Sequence, residues 1–257
     1  MNDALVHCIR IPKSGSTSLS RMVAQAFEGR RTFYLPDTLR REAKLSPWQG
    51  FRLWRSQTQN LTRKLGVLTL GAALRRIEAE GRPADLIAGG HSDQATVRDR
   101  LTLPVRFVTL MREPAERARS DYNYARAGYL KKKPWQRFDA HILAGIAAKY
   151  DFAGFLDFQL DHPEAFGDLA AAYLGWPAGA DLDAYLAANL WDWATLETAD
   201  RLAERIGERT GRPVTFGRHN RTEVIAKSDI GAAERAKIER LCARDYELYE
   251  RCLRDNG

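Results

Sequence analysis

Apolar runs that alternate with amphipathic stretches predict a parallel α/β fold. Buried strands are predicted where short apolar runs occur, over residues 5–11, 84–90, 105–110 and 190–196. Apolar positions three and four apart predict a helix after the first run, ending near Gly29. After the third run, Pro114 is suited to the first position of a helix, which is predicted to run to about Ala127. Strands that alternate with helices form parallel sheets, which bind ligands at the carboxyl ends of their strands. We therefore expect a central parallel sheet with its binding site at that edge.

Two helical insertions are predicted between the strands. Residues 36–83 are rich in Arg, Gln and Trp and contain a helix predicted over 61–80, and residues 127–188 are mostly helical in pattern. Further helices are predicted over 199–209 and 232–253. Because insertions on a rigid sheet usually carry specificity, we expect the two insertions to line the site where a substrate binds.

The composition is typical of one globular domain covering residues 1–257. Hydrophobic residues make up 44% of the chain, which excludes a disordered or fibrous protein, and a net charge of +7 favours anionic ligands without naming one. Three distant cysteines, Cys8, Cys242 and Cys252, predict neither a disulfide framework nor a zinc site and fit a reducing compartment. The pattern contains no export signal and no membrane span, so a cytoplasmic protein is expected.

The segment after the first predicted strand is rich in small and hydroxyl residues. It reads Pro-Lys-Ser-Gly-Ser-Thr-Ser and contributes Lys13, Ser14, Gly15, Ser16, Thr17 and Ser18. Backbone N–H groups of such a loop and of the following helix converge on an anion, and Lys13 adds a positive charge. The segment therefore predicts a phosphate or sulfate site, with a tight turn capped by Ser16 or Thr17 as the alternative. The nucleotide-triphosphate loop G-x-x-x-x-G-K-[ST] is absent, which argues against ATP or GTP.

A second segment, residues 106–124, places an arginine at the end of a strand and a serine on the next helix. Arg112 presents a planar guanidinium suited to a phosphate, and Ser120 lies about two turns along the helix. Taken singly, Arg112 could instead pair with a nearby glutamate, and Ser120 could be an ordinary surface residue. His91 follows two glycines at the end of another predicted strand, where an imidazole can act as a general base.

The two segments together resemble the signature of the sulfotransferases that use 3′-phosphoadenosine 5′-phosphosulfate (PAPS). Residues 12–19 match P-K-[ST]-G-[ST]-[ST]-[ST]-L, and the later segment matches L-x-R-[DE]-P-x-x-R-x-x-S, with Glu113 where the family usually has aspartate. The resemblance implies a P-loop-type three-layer α/β sandwich with a central parallel sheet and helical insertions. It also implies that the first loop holds the 5′-phosphosulfate and that Arg112 and Ser120 bind the 3′-phosphate.

The resemblance extends to two further positions. His91 is similar to the histidine of the glycine–histidine pair that carries the base in the carbohydrate-type branch of these enzymes, and a purely structural loop histidine is the alternative. Arg221 lies in a short loop, residues 218–222, that is similar to one contacting the nucleotide in the family. A basic surface loop is the alternative there.

These resemblances lead us to expect a sulfotransferase with Lys13 and His91 as catalytic residues, PAPS as the sulfuryl donor and no metal. The expected acceptor is a hydroxyl or amine of a carbohydrate, a lipid or a small molecule, and no nucleic-acid partner is expected. The main alternative is a non-catalytic basic module that binds nucleic acid or an acidic glycan. A nucleotide kinase is a third hypothesis, which the missing G-K-[ST] disfavours.

Overall fold

An all-parallel sheet forms the centre of the molecule. The computed structural model describes residues 3–36, 47–48, 70–217 and 230–256. Within these ranges the strands are β1 (Leu5–Cys8), β2 (Thr32–Leu35), β3 (Leu86–Gly89), β4 (Val105–Met111) and β5 (Leu190–Thr195). They pair in the order β2-β3-β1-β4-β5, and every pairing is parallel. All the carboxyl ends therefore lie along one edge, with β1 in the middle.

Helices make every connection that the structure describes between the strands. Before β4 these are α1 (Ser16–Ala26), α2 (Leu70–Glu80) and α3 (Gln94–Arg98). Between β4 and β5 lie α4 (Pro114–Leu130), a 3-10 helix (Pro134–Asp139), α5 (Ile142–Lys149), α6 (Phe152–Leu160), α7 (Pro163–Phe166), α8 (Leu169–Leu174) and α9 (Leu182–Asn189). The chain ends with α10 (Ala199–Thr210), α11 (Ala232–Leu241) and α12 (Ala243–Asn256).

The helices cover both faces of the sheet and produce a three-layer α/β arrangement. Side chains alternate between the two faces along each strand. Val6 and Cys8 of β1 pack with α1 and α10 on one face. On the other face, Leu5 packs with α2, and Phe107 of β4 packs with α8, α9 and α12. The predicted α/β class and the central parallel sheet are therefore confirmed.

Most predicted elements are present with shifted ends. The strand predicted over 5–11 ends at Cys8, because the chain then turns into the loop that follows. The sequence pattern does not predict β2, a four-residue strand at the edge of the sheet that is too short to show a period. The single helix predicted over 232–253 is wrong in one respect, since it divides into α11 and α12 at Cys242, whose backbone leaves the helical region.

The helical insertion predicted over 127–188 divides into two parts. In the first part, α5 and α6 pack with α4 and α11 in a separate apolar cluster that includes Tyr122, Phe155 and Leu156. In the second part, α8 and α9 cover the sheet. Most of the insertion predicted over 36–83 lies outside the described residues, as does the first half of the helix predicted over 61–80. The role of both insertions in binding an acceptor stays a prediction.

A buried ion pair and its hydrogen bonds join α4 and α8 to the C-terminal helix. The guanidinium of Arg117 on α4 lies 3.4 Å from the carboxylate of Asp245 on α12. The same carboxylate accepts hydrogen bonds from the backbone N–H groups of Ala170 and Ala171, at the start of α8, over 3.1 and 2.9 Å. Loss of either partner would leave the other as an uncompensated buried charge. The contact therefore fixes α4, and with it the segment that begins at Arg112.

Candidate functional site

Three neighbouring strands bring the predicted site residues to one edge of the sheet. The loop carrying Lys13 follows β1, the loop carrying His91 follows β3, and Arg112 follows β4 directly. The chain leaves β1 toward α1 on one face, and it leaves β3 toward α3 on the other face. Connections that diverge in this way open a crevice at the strand ends, which is where parallel sheets bind their ligands.

The loop after β1 has an unusual backbone. Lys13 and Gly15 both have a positive φ, of 65° and 75°. A non-glycine residue such as Lys13 adopts this conformation at a cost, and such strain is concentrated at functional sites. At Gly15 a Cβ atom would lie 2.7 Å from Leu196 Cδ1, so a larger residue would meet the side chain that follows β5. The conformation turns the loop back across the strand ends.

The start of α1 leaves its backbone N–H groups directed at this loop. Gly15 is the N-cap residue, and within the described residues no side chain caps the helix. The alternative in which Ser16 or Thr17 caps a tight turn is therefore wrong. The first turn, Ser16 to Ser18, also contains no acidic residue. Uncapped N–H groups and the positive end of the helix dipole suit an anion.

Ser14 gives a second sign that an anion belongs here. Its side chain is only 1% exposed, and its hydroxyl oxygen has no hydrogen-bond partner among the described residues. A buried hydroxyl without a partner is costly and is usually satisfied by a ligand or an ordered water. The positive φ at Gly15, the uncapped helix and the Ser14 hydroxyl together fit a phosphate or sulfate group.

Arg112 and Lys13 are brought together, although they are far apart in sequence. The Arg112 Nη1 atom donates a hydrogen bond to the carbonyl oxygen of Lys13 over 3.2 Å. Its Nη2 atom lies 3.3 Å from Glu116 Oε2, so the ion pair considered as an alternative does form. That pair is between partly exposed groups one helical turn apart and contributes little to stability. It leaves Arg112 at the loop, where the guanidinium can meet an anion.

Ser120 lies on the face of α4 that meets the loop. Tyr124, one helical turn further along α4, has its ring 3.7 Å from Lys13 Nζ, which is a cation–π contact. Residues four apart share a helix face, so Ser120 lies beside this contact, and it is partly buried there. Arg112 therefore contacts the loop directly, and Ser120 shares the helix face whose Tyr124 contacts Lys13.

Burial and neighbouring charges act on the pKa of Lys13 in opposite directions. Burial lowers the pKa of Lys13, the Asp121 carboxylate acts to raise it, and the Arg112 guanidinium lowers it further. Burial raises the pKa of Asp121, against the attraction of Arg117 and Lys13. Because desolvation and a like charge both disfavour the Lys13 ammonium, a bound anion would stabilise it.

The backbone of the segment that follows β1 orients the His91 ring. Its Nδ1 atom lies 2.5 Å from the carbonyl oxygen of Arg10, which can only accept a hydrogen bond. In its neutral form the imidazole therefore carries its proton on Nδ1, and Nε2 carries the lone pair. The ring also packs edge-on against Tyr173, with centroids 6.1 Å apart. A half-buried imidazole held in this tautomer has the form of a general base.

The glycine before this loop is required by its surroundings. Gly89 has a φ of 128°, and a Cβ atom there would lie 2.3 Å from the carbonyl oxygen of Leu35 on β2. The next residue, Gly90, donates its backbone N–H to the same oxygen over 2.9 Å. The β3 chain thus passes tightly against β2 and then turns to present His91.

Sequence reasoning missed three residues at this edge. Arg10 donates from Nη1 to the carbonyl oxygen of Gly89 over 2.8 Å, and its Nε atom is buried without a partner among the described residues. Asp121 and Tyr124 adjoin the Lys13 ammonium. A charged residue inside an apolar run was the available signal for Arg10. No comparable signal marks Asp121 or Tyr124, whose roles depend on a loop distant in sequence.

The remaining predictions concern Arg221, metal binding and membrane-spanning helices. Arg221 lies outside the described residues. Within the described residues, no group of three or more His, Cys, Asp or Glu side chains is arranged to hold a metal ion. Among the helices in the described part of the chain, none combines the length and apolar character that crossing a membrane requires. Neither protein-family models nor curated proteins gave a match to this chain.

Proposed function

We propose that the protein is a PAPS-dependent sulfotransferase, which moves a sulfuryl group from PAPS to a hydroxyl or amine of an acceptor. The observation that carries the proposal is the hydrogen bond from Arg112 to the Lys13 carbonyl, 3.2 Å long. It joins the two sequence segments that resemble the donor-binding elements of that family, although they are 99 residues apart. On this proposal the fold is of the P-loop type.

The loop after β1 would hold the 5′-phosphosulfate of the donor. Lys13, Ser14, Gly15, Ser16, Thr17 and Ser18 form this loop and the first turn of α1. The uncapped N–H groups and the unpartnered Ser14 hydroxyl can donate hydrogen bonds to its oxygens. Lys13 would neutralise the negative charge that develops on the bridging oxygen as the sulfur–oxygen bond breaks.

Arg112 and Ser120 would bind the 3′-phosphate. A guanidinium and a hydroxyl near the same loop can donate to different oxygens of one phosphate. Arg221 would add a further cation. Recognition of this phosphate distinguishes a sulfuryl donor from ordinary adenosine nucleotides, and it would account for two cationic elements at one edge of the sheet.

His91 would act as the base. The acceptor oxygen or nitrogen bonds to sulfur, the bond between sulfur and the phosphate oxygen breaks, and His91 Nε2 takes the acceptor proton. The products are the sulfated acceptor and 3′-phosphoadenosine 5′-phosphate (PAP). The hydrogen bond from Nδ1 to the Arg10 carbonyl supports this role, because it keeps the lone pair on Nε2.

Calorimetric titration with PAP tests the proposal without knowledge of the acceptor. Adenosine 5′-monophosphate is the matched ligand, since it lacks only the 3′-phosphate. We expect PAP to bind at least about tenfold more tightly, and Arg112→Ala to abolish that preference, because a charge-assisted hydrogen bond contributes about 1.5–3 kcal/mol. Arg100→Ala is the control, since this exposed arginine precedes β4 and thus lies toward the opposite edge of the sheet.

The outcomes separate the proposal from its main alternative. A preference for PAP that Arg112→Ala removes and Arg100→Ala preserves supports the donor site. Equal binding of both nucleotides, or none, rejects the sulfotransferase. Binding that depends only on salt and falls equally in both variants would favour a general polyanion-binding module.

A further inference from the structure

A buried hydrogen-bond network adjoins the loop that carries His91. His7, in the middle of β1, lies with its Nε2 atom 2.7 Å from the hydroxyl oxygen of Ser92. Its Nδ1 atom lies 2.9 Å from the side-chain oxygen of Gln94, the first residue of α3. All three side chains are fully buried. The network therefore connects the central strand to the residue that directly follows His91.

The positions of the protons in this network follow from its partners. The Gln94 side-chain nitrogen donates to the carbonyl oxygen of Val105 over 3.0 Å, so its side-chain oxygen must face His7 as an acceptor. His7 therefore carries its proton on Nδ1 and accepts at Nε2. The Ser92 hydroxyl is then the donor to Nε2. Each ring nitrogen of His7, and the oxygen and nitrogen of the Gln94 side chain, thus has one defined partner.

His7 stays neutral across the physiological range. Burial lowers the pKa of His7 to about 4, while the hydrogen bond to Gln94 and the Asp93 charge act in the opposite direction. A group that does not titrate near neutral pH cannot act as a pH sensor there. Its contribution is a fixed geometry.

The fold itself does not require a polar group at this position. Leu5 and Ile9, two residues before and after His7, point to the same side of the sheet and lie in apolar clusters. Polar side chains in such a core are costly unless every group is bonded, and an apolar residue would avoid the cost. What the network provides is a single fixed conformation of the loop between β3 and α3.

A second anchor on the same segment holds the same loop. The Arg10 carbonyl, three residues after His7, accepts from the His91 imidazole itself. One anchor thus fixes the ring, and the other fixes the backbone beside it through Ser92. With the ring and the neighbouring backbone both held, the His91 imidazole has little freedom to turn. A general base needs such a fixed orientation when an acceptor must meet Nε2.

We propose that His7 is a positioning residue for His91, which holds the loop through Ser92 so that the imidazole keeps its hydrogen bond to the Arg10 carbonyl. The role of His91 as a base rests on the proposed function. The orientation of its ring does not, so the two can be tested separately.

The first measurement follows the His91 ring by long-range ¹H–¹⁵N NMR, with the signal assigned by its loss in His91→Asn. In the wild type we expect the shifts of an imidazole protonated on Nδ1. In Ser92→Ala, which removes only a hydroxyl, and in His7→Leu we expect shifts that move toward a mixture of tautomers. Unchanged shifts in both variants would overturn the proposal, whether or not the protein is a sulfotransferase.

The second measurement follows sulfate release from PAPS with water as the acceptor. We expect His7→Leu to lower kcat at least about tenfold, because small displacements of a catalytic group are costly, while the Kd for PAP stays within about twofold. In His7→Gln the amide oxygen can accept from Ser92, so kcat should return most of the way to the wild-type value. Ser92→Ala replaces His7→Leu if the latter does not fold.

Val6→Ala is the matched control. Val6 precedes His7 on β1, but its side chain packs on the opposite face with α1 and α10, so the variant weakens the same strand without touching the loop. We expect its kcat to stay within about twofold of the wild-type value. An equal loss of kcat in Val6→Ala and His7→Leu would show that His7 acts only through stability and would reject the proposal. A wild type that binds no PAP would reject the proposed function and leave the NMR result to decide the orientation.

Discussion

Replacing Lys13 with glycine should separate the function of the loop from its stability. Lys13 has a φ of 65°, a conformation that costs a non-glycine residue about 1–2 kcal/mol. Lys13→Gly relieves this strain and removes the ammonium group at the same time. On the proposed function, we expect a protein that folds as well as the wild type and has lost most of its turnover.

The magnitudes can be worked from the contacts of Lys13. Against the relieved strain stand the greater chain entropy of glycine, about 0.5–1 kcal/mol, and the lost cation–π contact with Tyr124, about 0.5–1 kcal/mol. The net change in the free energy of unfolding is within about 1 kcal/mol of zero, which shifts Tm by at most about 4 °C in a chain of this size. Removing one preorganised group that stabilises a developing charge costs about 10²–10³ in turnover.

Lys13→Ala is the control, because it removes the same ammonium but keeps a Cβ atom at positive φ. We expect it to be less stable than Lys13→Gly by about 0.5–1 kcal/mol and equally slow. Thermal unfolding and the rate of sulfate release from PAPS measure the two effects. A glycine variant that is less stable than the alanine variant would refute the strain argument, and one that keeps its turnover would refute the role of the ammonium.

The remaining predictions concern the contacts that hold the site. Gly89→Ala should lower the free energy of unfolding by more than about 2 kcal/mol, because its Cβ atom would lie 2.3 Å from the Leu35 carbonyl oxygen. Asp245→Ala should cost about 3–5 kcal/mol, since Arg117 is left buried without its partner. His7 should make stability pH-dependent: its pKa is lowered from 6.5 to about 4, so roughly 3 kcal/mol present above pH 6.5 is lost as the pH falls toward 4.

Urea unfolding measures the free energy of unfolding in each case, and each variant has a matched control. Gly128→Ala, in α4 with nothing within 4 Å of its Cβ atom, should be neutral or stabilising. Asp183→Ala removes an exposed ion pair with Arg251 and should change stability by less than about 0.5 kcal/mol. His7→Gln should show a shallower loss of stability between pH 6.5 and 4 than the wild type. Equal effects within any of these pairs would contradict the reasoning behind it.

The strands that could be predicted are those whose side chains are buried on both faces of the sheet. β4 is a run of seven residues with six of them buried, and such runs are visible without knowledge of their neighbours. β2 has only Phe33 and Leu35 buried and lies at the edge of the sheet. A pattern of two apolar positions cannot be distinguished from a loop, so its detection needed the pairing with β3.

The candidate site could be predicted only as far as local sequence determines it. Lys13, His91 and Arg112 each follow a detectable strand, so their common edge follows from parallel pairing alone. The partners of these residues depend on distances across the fold. Tyr124 lies over Lys13 because α4 returns past the loop, and the Arg10 carbonyl meets His91 because β3 adjoins β1. Neither contact has a counterpart in local spacing.

His7 of β1 and Arg10, which follows β1, show why such contacts leave a trace in the sequence without identifying the partners. His7 and Arg10 interrupt an otherwise apolar segment. His7 is fully buried and Arg10 is partly buried, so both side chains need hydrogen-bonding partners. In or beside a central strand those partners must come from another segment, because the strand's own backbone is used in the sheet. The partners are Ser92 and Gln94 for His7 and Gly89 for Arg10, 79 to 87 residues away, at the end of β3 and in the segment that follows it. A polar residue in a central strand is therefore evidence for an ordered loop beside it, and here that loop is the one that carries His91.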